Sequence, residues 1–422
     1  MGEGTTTTRA ERSHDDGTGE DLGATPTLLE RLTRATERLD GPLAVVDLDR
    51  FDANADDLLA RADGTPVRLA SKSVRVRALA ERALGRGFRG VMAYSVREAL
   101  WLVAQGTRDV LVAYPSVDRG ALAALAGDEA ARREVTLMVD DAAHVALVRH
   151  ALAAAPLGAG APPVQLCLDV DASLRVGLGP FTAHLGTRRS PVRTPDDAAA
   201  VAARVVAEPG LRLRGVMFYE AQVAGLPDTS PAVRLVKRAS VADLATRRGE
   251  VVDAVRGVVG PGFDLVNSGG TGSLETSSAD PVVTEVTAGS GLYVPGLFDA
   301  YRAFRPRPAA FFGLDVVRVP APGWATAFGG GYVASGPAAR SRLPLVATPG
   351  WSLTGREGAG EVQTPLHRTG RRAGDLEVGD RVWFRHAKAG EVMERFDVVH
   401  LVRGDEVVDV VPTYRGEGRT FG

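Results

Sequence analysis

Short apolar runs rich in β-branched residues alternate with Ala-, Leu- and Arg-rich stretches of helical period through most of this chain. Such alternation indicates a parallel sheet with crossover helices, because each parallel connection has to traverse the sheet. The runs lie at 43–49, 67–72, 90–95, 109–115, 134–140, 164–171, 213–219, 263–269 and 284–291. When the first run is set aside, the remaining eight predict an α/β fold with a (β/α)8 TIM-type barrel of the usual size, about 250 residues. A doubly wound open sheet has the same local pattern and is the main rival.

The pattern changes after about residue 305, where helical periodicity disappears. Joints rich in Pro and Gly, such as PAPGW and FGGGY, separate short β-like runs there. We therefore predict a C-terminal all-β domain over 305–422, following a barrel domain over 25–304. Residues 1–24 are polar, Gly-rich and without periodicity, and are predicted to be a disordered tail.

Composition excludes several classes of partner. The formal net charge is -2 and no dense basic cluster is present, so neither nucleic acid nor an anionic membrane surface is an expected partner. No run of about 20 apolar residues could cross a bilayer, and the N-terminus lacks the apolar core of a signal peptide. The single Cys167 excludes an intrachain disulfide. Together these features predict a cytoplasmic protein.

Lysine is rare here: 3 of the 50 basic side chains are lysines, Lys72, Lys237 and Lys388. A lysine amine can form an imine and can give up a proton, whereas arginine does neither readily. Lys237 is predicted to be an ordinary surface residue of a helix. Lys72 follows a predicted apolar strand, at the barrel end where catalytic residues lie, so a simple surface position is the weaker interpretation.

Two turns rich in Gly, Ser and Thr follow the last two predicted barrel strands. They are SGGTGS at 268–273 and GSGLY at 289–293. Loops in these two positions commonly bind phosphate in barrels, because backbone N–H groups converge there. A phosphate site near a strand-end lysine predicts pyridoxal 5'-phosphate (PLP), which proteins hold by both groups. A phosphosugar lyase or isomerase would also combine them, so the residues alone leave the cofactor open.

Several segments occur in the order seen in one enzyme family: LASKS, DVDASLRVGL, GVMFYEAQVAG, NSGGTGS and AGSGLY. From about residue 40 onward the chain resembles the alanine racemase-like (fold type III) PLP enzymes. Within them it is most similar to the D-threonine aldolase and D-serine dehydratase group, named amino acid deaminase/aldolase. The resemblance implies a PLP-dependent lyase that dehydrates and deaminates, or cleaves by aldol chemistry, a small D-configured β-hydroxy amino acid. It also implies a homodimer in which the β domain of one subunit closes the active site of the other.

The resemblance also implies roles for individual residues. Lys72 is implied as the Schiff-base lysine and as the base at the substrate Cα, Arg175 as the partner of the cofactor phenolate oxygen, and Tyr219 as the residue near the pyridine nitrogen. The alternatives are a surface salt bridge for Arg175 and a core position for Tyr219. The implied phosphate contacts are Ser268, Gly269, Gly270, Thr271, Gly272, Ser290 and Gly291, with Tyr293 adjacent.

The chain departs from this group at one position. The relatives bind a metal through a His and, two residues later, a Cys or Asp, whereas the corresponding stretch RHAKAGE has His386 followed by Lys388. A protonated lysine would repel a dication, so we predict no metal here. Our hypothesis is that the Lys388 ammonium donates a hydrogen bond to the substrate hydroxyl or carboxylate instead. The predicted catalytic residues are therefore Lys72, Lys388 and His386. The alternatives are that Lys388 is an exposed hairpin residue, or that Glu391 and His400 complete a different metal site.

Three other functions stay open from the sequence. An amino acid racemase needs a second base on the opposite face, and Tyr301, Tyr332 and Tyr414 are candidates. A non-catalytic PLP-binding protein would resemble the barrel alone, so the added β domain disfavours it. A phosphosugar-binding barrel without PLP is the third alternative.

Overall fold

The computed structural model of the chain describes residues 27–156, 158, 160–177, 179–302, 304–371 and 373–421. The predicted tail at 1–24 lies outside this part. The α-helices are α1 Leu28–Ala35, α2 Leu48–Arg61, α3 Arg77–Gly85, α4 Val96–Ala104, α5 Arg119–Gly127, α6 Glu129–Glu134, α7 Ala142–Ala154, α8 Pro195–Val206, α9 Ala221–Ala224, α10 Pro231–Val259, α11 Leu274–Ser278 and α12 Ser290–Tyr293. The strands are β1 Leu43–Asp47, β2 Val67–Ala70, β3 Val91–Ala93, β4 Val110–Val112, β5 Val135–Val139, β6 Val164–Val170, β7 Leu174–Val176, β8 Ala183–Leu185, β9 Leu211–Phe218, β10 Leu265–Ser268, β11 Glu285–Ala288, β12 Ala310–Ala321, β13 Trp324–Phe328, β14 Leu345–Val346, β15 Trp351–Leu353, β16 Gln363–Arg368, β17 Arg381–Arg385, β18 Val398–Arg403 and β19 Glu406–Pro412.

Eight parallel strands close into a barrel in the order β2-β3-β4-β5-β6-β9-β10-β11, with β11 pairing back to β2. Each of the eight predicted runs contributes one of these strands, so the predicted fold class is confirmed. Every residue of β2 and of β5 is buried. Strands covered on both faces have near-continuous apolar sequences, which is why the runs were recognisable.

The first apolar run, set aside in the prediction, belongs to the second sheet. Strand β1 pairs antiparallel with β12 and parallel with β18. It lies inside a nine-stranded, mainly antiparallel sheet of order β15-β16-β13-β12-β1-β18-β19, to which β14 and β17 attach beside β12. The C-terminal sheet therefore incorporates a strand from the start of the chain.

The loop after β17, residues 386–391, lies against the mouth of the barrel. The backbone N–H groups of Gly296 and Leu297 donate to the carbonyl oxygens of His386 (3.0 Å) and Ala387 (3.1 Å). A Cβ atom on Gly390 would overlap the carbonyl oxygen of Lys72, and Gly390 has φ +87°. Only glycine combines that backbone conformation with so close an approach. The 386–391 segment is thus fixed beside the strand-end lysine.

The longest helix, α10, supports the barrel from outside. Ser230 caps it, since its Oγ accepts a hydrogen bond from the N–H of Val233 at 3.2 Å. From this helix the buried Arg248 donates to Ser268 Oγ at 3.0 Å and pairs with Asp280, which fixes the end of β10. Among the helices described, none has both the length and the apolar character that crossing a membrane requires.

Candidate active site

A cavity of about 380 Å³ opens where the carboxyl ends of the barrel strands meet the 386–391 segment. Lys72, Tyr114, Tyr219, Arg189 and Lys388 all contribute to its wall. Barrel enzymes place their working residues at this end of the strands. The cavity therefore coincides with the predicted site and adds two residues, Tyr114 and Arg189, that the prediction missed.

Lys72 stands in a single 3₁₀ turn, Ser71–Ser73, directly after β2. Its Nζ donates a hydrogen bond to the phenolic oxygen of Tyr114 at 2.6 Å and lies 5.3 Å from the centre of that ring. The residue is partly buried. The structure thus confines the amine inside the cavity, facing a phenol.

Tyr114 follows β4 and has a perturbed acidity. Burial disfavours its phenolate, but the charge and the hydrogen bond of Lys72, with the charges of Arg189 and Lys388, outweigh burial and hold the pKa of Tyr114 below its ordinary value of 10.0. A lowered pKa makes the phenolate of Tyr114 easier to form, and a phenolate can accept a proton. Tyr114 is therefore a candidate acid–base group in contact with Lys72.

The two predicted glycine turns meet on one wall of this cavity. Gly269, Gly270, Thr271 and Ser290 line it, as predicted. A Cβ on Gly270 would lie 2.8 Å from the Cβ of Ala224, and one on Gly289 would lie 2.6 Å from the carbonyl oxygen of Ala70. Side chains at these positions would displace the loops. Both turns thus present bare backbone and small hydroxyl groups close to Lys72, a wall that fits a phosphate group.

Glu220 organises the first of these turns and was not among the predicted site residues. It is 2% exposed. Its carboxylate accepts hydrogen bonds from Ser268 Oγ (3.0 Å), Gly269 N (3.3 Å) and Ser273 Oγ (2.8 Å), and also from Ser277 Oγ. The sequence signal was its position directly after the strand-end Tyr219. Glu220 therefore holds the shape of the glycine turn without lining the cavity.

The other predicted phosphate contacts lie behind the cavity wall. Gly272 packs against the ring of Tyr301, and the N–H of Gly291 donates to Thr271 Oγ1 at 3.0 Å. The hydroxyl of the fully buried Tyr293 donates to the carbonyl oxygen of Val74 at 3.0 Å. These residues and Ser268 support the two turns from outside the cavity.

Arg175 does not line this cavity. It lies on β7, pairs with Asp171 at 2.8 Å and keeps 42% of its side chain exposed. It borders a separate, more open cavity of about 400 Å³ that also includes Arg188 and Arg189. The hairpin of β7 and β8 directs it outward, so the surface salt bridge is the interpretation that matches its position. Arg189, which follows β8 in the same connection between β6 and α8, is the arginine that lines the cavity.

Tyr219 and Arg189 lie together on the cavity wall. Tyr219, predicted to lie near the pyridine nitrogen of the cofactor, follows β9, and its ring lies near Gly270 on the cavity wall. The Arg189 guanidinium carbon lies 5.4 Å from the centre of the Tyr219 ring and 5.7 Å from that of Tyr114. Such distances are those of cation–π contacts.

Lys388 reaches the cavity from the opposite, β-domain side. Its Nζ donates to Ser335 Oγ at 2.6 Å and lies 3.6 Å from Glu391 Oε1. The N–H of Ser335 donates to Glu391 Oε2 at 2.7 Å. Burial raises the pKa of Glu391, but the hydrogen bonds from Ser335 and the charge of Lys388 lower it more, so the carboxylate stays ionised. The half-exposed Lys388 ammonium is therefore held in place by Ser335 and Glu391.

His386 does not reach the cavity. It is buried edge-on against Tyr293, with ring centres 6.1 Å apart. Burial, with the charge of Arg385, lowers the pKa of His386 to about 3, so the ring is neutral at physiological pH. His400 is part of the C-terminal sheet, where its Nδ1 lies 3.2 Å from the carbonyl oxygen of Ala44. Within the described ranges, no group of three or more His, Cys, Asp and Glu side chains could hold a metal ion.

The three tyrosines considered as a second base lie outside the cavity wall. Tyr301 donates to the carbonyl oxygen of Ala224 at 2.8 Å. Tyr332 packs on Phe312, with ring centres 5.1 Å apart, and the buried Tyr414 lies against Trp101. The phenol that faces Lys72 in this chain is Tyr114 instead.

Comparison with known proteins fits this architecture. Residues 46–295 match the family described as alanine racemase, N-terminal domain. The chain belongs to this family. The resemblance seen in the motifs is thereby confirmed.

Two characterised members of the alanine racemase-like group are similar in sequence. D-threonine aldolase of Arthrobacter sp. is 29% identical over 267 residues, covering 62% of this chain and 63% of that protein. D-threo-3-hydroxyaspartate dehydratase of Delftia sp. (strain HT23) is 31% identical over 235 residues, covering 47% and 58%. The matched stretch thus spans less than two thirds of either relative.

Solved structures show the same fold over nearly the whole length. D-threonine aldolase from Filomicrobium marinum superposes with a TM-score of 0.74 at 24% identity, covering 90% of this chain and 96% of that chain. The Delftia dehydratase gives a TM-score of 0.69 at 22% identity, covering 89% and 98%. The barrel and the β domain are therefore arranged as in these two enzymes.

Proposed function

We propose that this chain is a PLP-dependent lyase that acts on a small D-configured β-hydroxy amino acid. The observation that carries the proposal is the confined Lys72 amine, 2.6 Å from the Tyr114 phenol, in the same cavity as two glycine turns that fit a phosphate. The named relatives act on substrates of this class by aldol cleavage and by dehydration. A cytoplasmic homodimer is part of the same proposal.

The residues present fit the cofactor. Gly269, Gly270, Thr271 and Ser290 would hold its phosphate, Lys72 its aldehyde carbon, and Tyr219 would lie near its ring. Bound there, PLP supplies an electron sink for charge that develops at the substrate Cα.

Lys72 and Tyr114 then provide the proton transfer. The lysine amine removes the proton at Cα for loss of the hydroxyl, or assists cleavage of the Cα–Cβ bond. Tyr114 orients the amine and can take its proton, because the lysine and Arg189 stabilise its phenolate.

Lys388 is proposed to act on the substrate oxygen. Ser335 and Glu391 hold its ammonium at the β-domain side of the cavity. From there it donates a hydrogen bond to the β-hydroxyl, which stabilises negative charge as that oxygen leaves or is deprotonated. The donor set at this wall is one ammonium, one hydroxyl and one carboxylate, a poor ligand set for a dication.

A visible spectrum of the purified, reconstituted protein tests the cofactor. We expect a band near ~420 nm that survives desalting and is absent from Lys72→Ala, because the imine needs that amine. Lys237→Ala is the matched control, since Lys237 pairs with Asp228 outside the cavity and should keep the band. No band in the reconstituted wild type would contradict the proposal.

Product analysis then tests the reaction. With D- and L-serine and threonine, a 2-oxo acid indicates dehydration, whereas glycine with an aldehyde indicates aldol cleavage. Full activity after exhaustive chelation is expected, and stoichiometric zinc or manganese in active protein would contradict the role of Lys388.

Racemisation is the second candidate that the sequence left open, and it requires a second base on the face opposite Lys72, whereas Tyr114 is hydrogen-bonded directly to that lysine. Inversion of D- or L-alanine in deuterated water, with deuterium at Cα of the inverted product, would favour it over the lyase reaction.

A further inference from the structure

We infer that Arg189 binds the α-carboxylate of the substrate, and so selects amino acids over simple amines. The inference rests on the proposed function and adds a residue that positions the substrate. It depends on three features of Arg189: its distance from the reacting amine, its uncompensated charge and its fixed backbone.

Arg189 and Lys72 contact the same aromatic ring. The Arg189 guanidinium carbon lies 5.7 Å from the centre of the Tyr114 ring, and Lys72 Nζ lies 5.3 Å from it. An amino acid whose Cα faces Lys72 carries its carboxylate one bond away from that carbon. Both cations line the same cavity next to Tyr114, and we place the carboxylate between the substrate Cα and the guanidinium there.

Apart from Lys72, which is hydrogen-bonded to Tyr114, Arg189 is the one basic group of the cavity wall without a carboxylate partner among the described residues. Arg75 pairs with Glu394 at 2.8 Å, and Lys388 lies 3.6 Å from Glu391. Over the described ranges, no carboxylate is in salt-bridge contact with Arg189; its neighbours are two tyrosine rings. An unpaired guanidinium at a cavity wall is suited to bind a carboxylate through two parallel hydrogen bonds.

One buried carboxyl group whose charge interacts with Arg189, Asp169, does not neutralise it. Asp169 lines a neighbouring cavity together with Arg189 and is 8% exposed. Burial and the like charge of Asp140 outweigh the effect of Arg189 and raise the pKa of Asp169 to about 7. Near neutral pH, much of this carboxyl is therefore protonated, and the arginine charge stays available to a ligand.

The backbone that carries Arg189 is anchored to the barrel. Ser190 Oγ donates to the carbonyl oxygen of Asp169 at 2.8 Å and accepts from the N–H of Val192 at 3.0 Å. The N–H of Asp171 donates to the carbonyl oxygen of Val192 at 2.8 Å. These bonds fix the position from which the guanidinium extends, so that a bound carboxylate has one preferred orientation.

The test compares two ligands of the PLP-loaded enzyme that differ only in the carboxylate. D-Alanine and ethylamine both lack a β-hydroxyl, and their binding is measured from the change in the visible absorption of the cofactor. In Arg189→Met we expect D-alanine to bind about tenfold or more weakly than in wild type, because a charged hydrogen-bonded contact is lost. Ethylamine should bind with the same affinity to wild type and to Arg189→Met. Arg189→Lys should recover part of the loss, since it restores the charge without the paired geometry.

Arg188→Met is the matched control, because Arg188 borders the open cavity and is absent from the active-site wall. It should leave both affinities unchanged. Equal D-alanine affinity in wild type and Arg189→Met would overturn the inference while leaving the cofactor assignment intact. A wild type without a visible band would overturn the proposed function and the inference together.

Discussion

The two walls of the active-site cavity are built differently. On the barrel wall, Lys72, Tyr114 and Tyr219 follow strands of one closed sheet, so the hydrogen-bonded ladder sets their spacing. The opposite wall is a single loop, the 386–391 segment, held by two backbone bonds and the close contact of Gly390 with Lys72. The family match ends at residue 295, before that loop. The barrel wall thus owes its geometry to a whole closed sheet, whereas the loop wall depends on a few local contacts.

Gly390→Ala should show how strongly the loop depends on its contact with the barrel. The new Cβ would overlap the Lys72 carbonyl oxygen, and φ +87° is strained for alanine, so we expect a loss of about 2–5 kcal/mol in the free energy of unfolding. Urea unfolding measures it. Gly404→Ala is the control: φ is +62° and no heavy atom lies within 4 Å of the Cβ, so only the backbone strain should appear. Equal losses in the two variants would show that the contact is unimportant.

Lys388→Met should separate chemistry from cofactor binding. Because the ammonium is proposed to stabilise the leaving or deprotonated oxygen, we expect kcat for a β-hydroxy amino acid to fall about 100-fold, while the visible band stays. Steady-state kinetics and absorption measure the two effects. Lys388→Arg keeps a charged donor and should lose less. A loss of the band in Lys388→Met would mean that the loop also holds the cofactor.

Glu220→Gln should loosen the glycine turn at 268–273 and leave the 386–391 segment unchanged. The carboxylate accepts from Ser268, Gly269 and Ser273, and an amide would accept fewer of these bonds. We expect PLP to bind roughly tenfold more weakly, measured by titrating the apoprotein with PLP. Glu129→Gln is the control, because Glu129 pairs with Arg133 on the surface of the protein. Unchanged affinity in Glu220→Gln would show that the turn keeps its shape without this carboxylate.

Glu98, a buried carboxyl next to the turn that carries Lys72, should make the free energy of unfolding depend on pH. Burial raises the pKa of this fully buried carboxyl from 4.5 to about 7. A raised pKa means that the fold binds the proton more tightly, so the stabilisation is complete below about pH 4.5 and is lost as pH rises through about 7. In wild type we expect the free energy of unfolding in urea to fall by on the order of 1 kcal/mol between pH 5 and 8 because of Glu98. Glu98→Gln should remove this fall. Parallel pH profiles for the variant and the wild type would contradict it.

The barrel and half of the site could be predicted because their signals are local. Buried parallel strands have continuous apolar sequences, and Lys72 and the glycine turns sit directly at the ends of such runs. Tyr114 also ends a predicted run, at 109–115, so its signal was present but unused. Arg189 had no such signal, because the β7–β8 hairpin brings it back to the mouth from a long excursion. The same hairpin turned Arg175 outward.

The place of β1 has a consequence for how the chain is assembled during synthesis. Its partners β12 and β18 leave the ribosome only after the whole barrel has been made. Until then β1 has two unpaired edges, and pairing over so large a sequence separation is slow. A fragment that began at residue 305 would lack an interior strand of its sheet. The joint between the two halves of this protein is therefore closed last, and the first strand to be made is among the last to be paired.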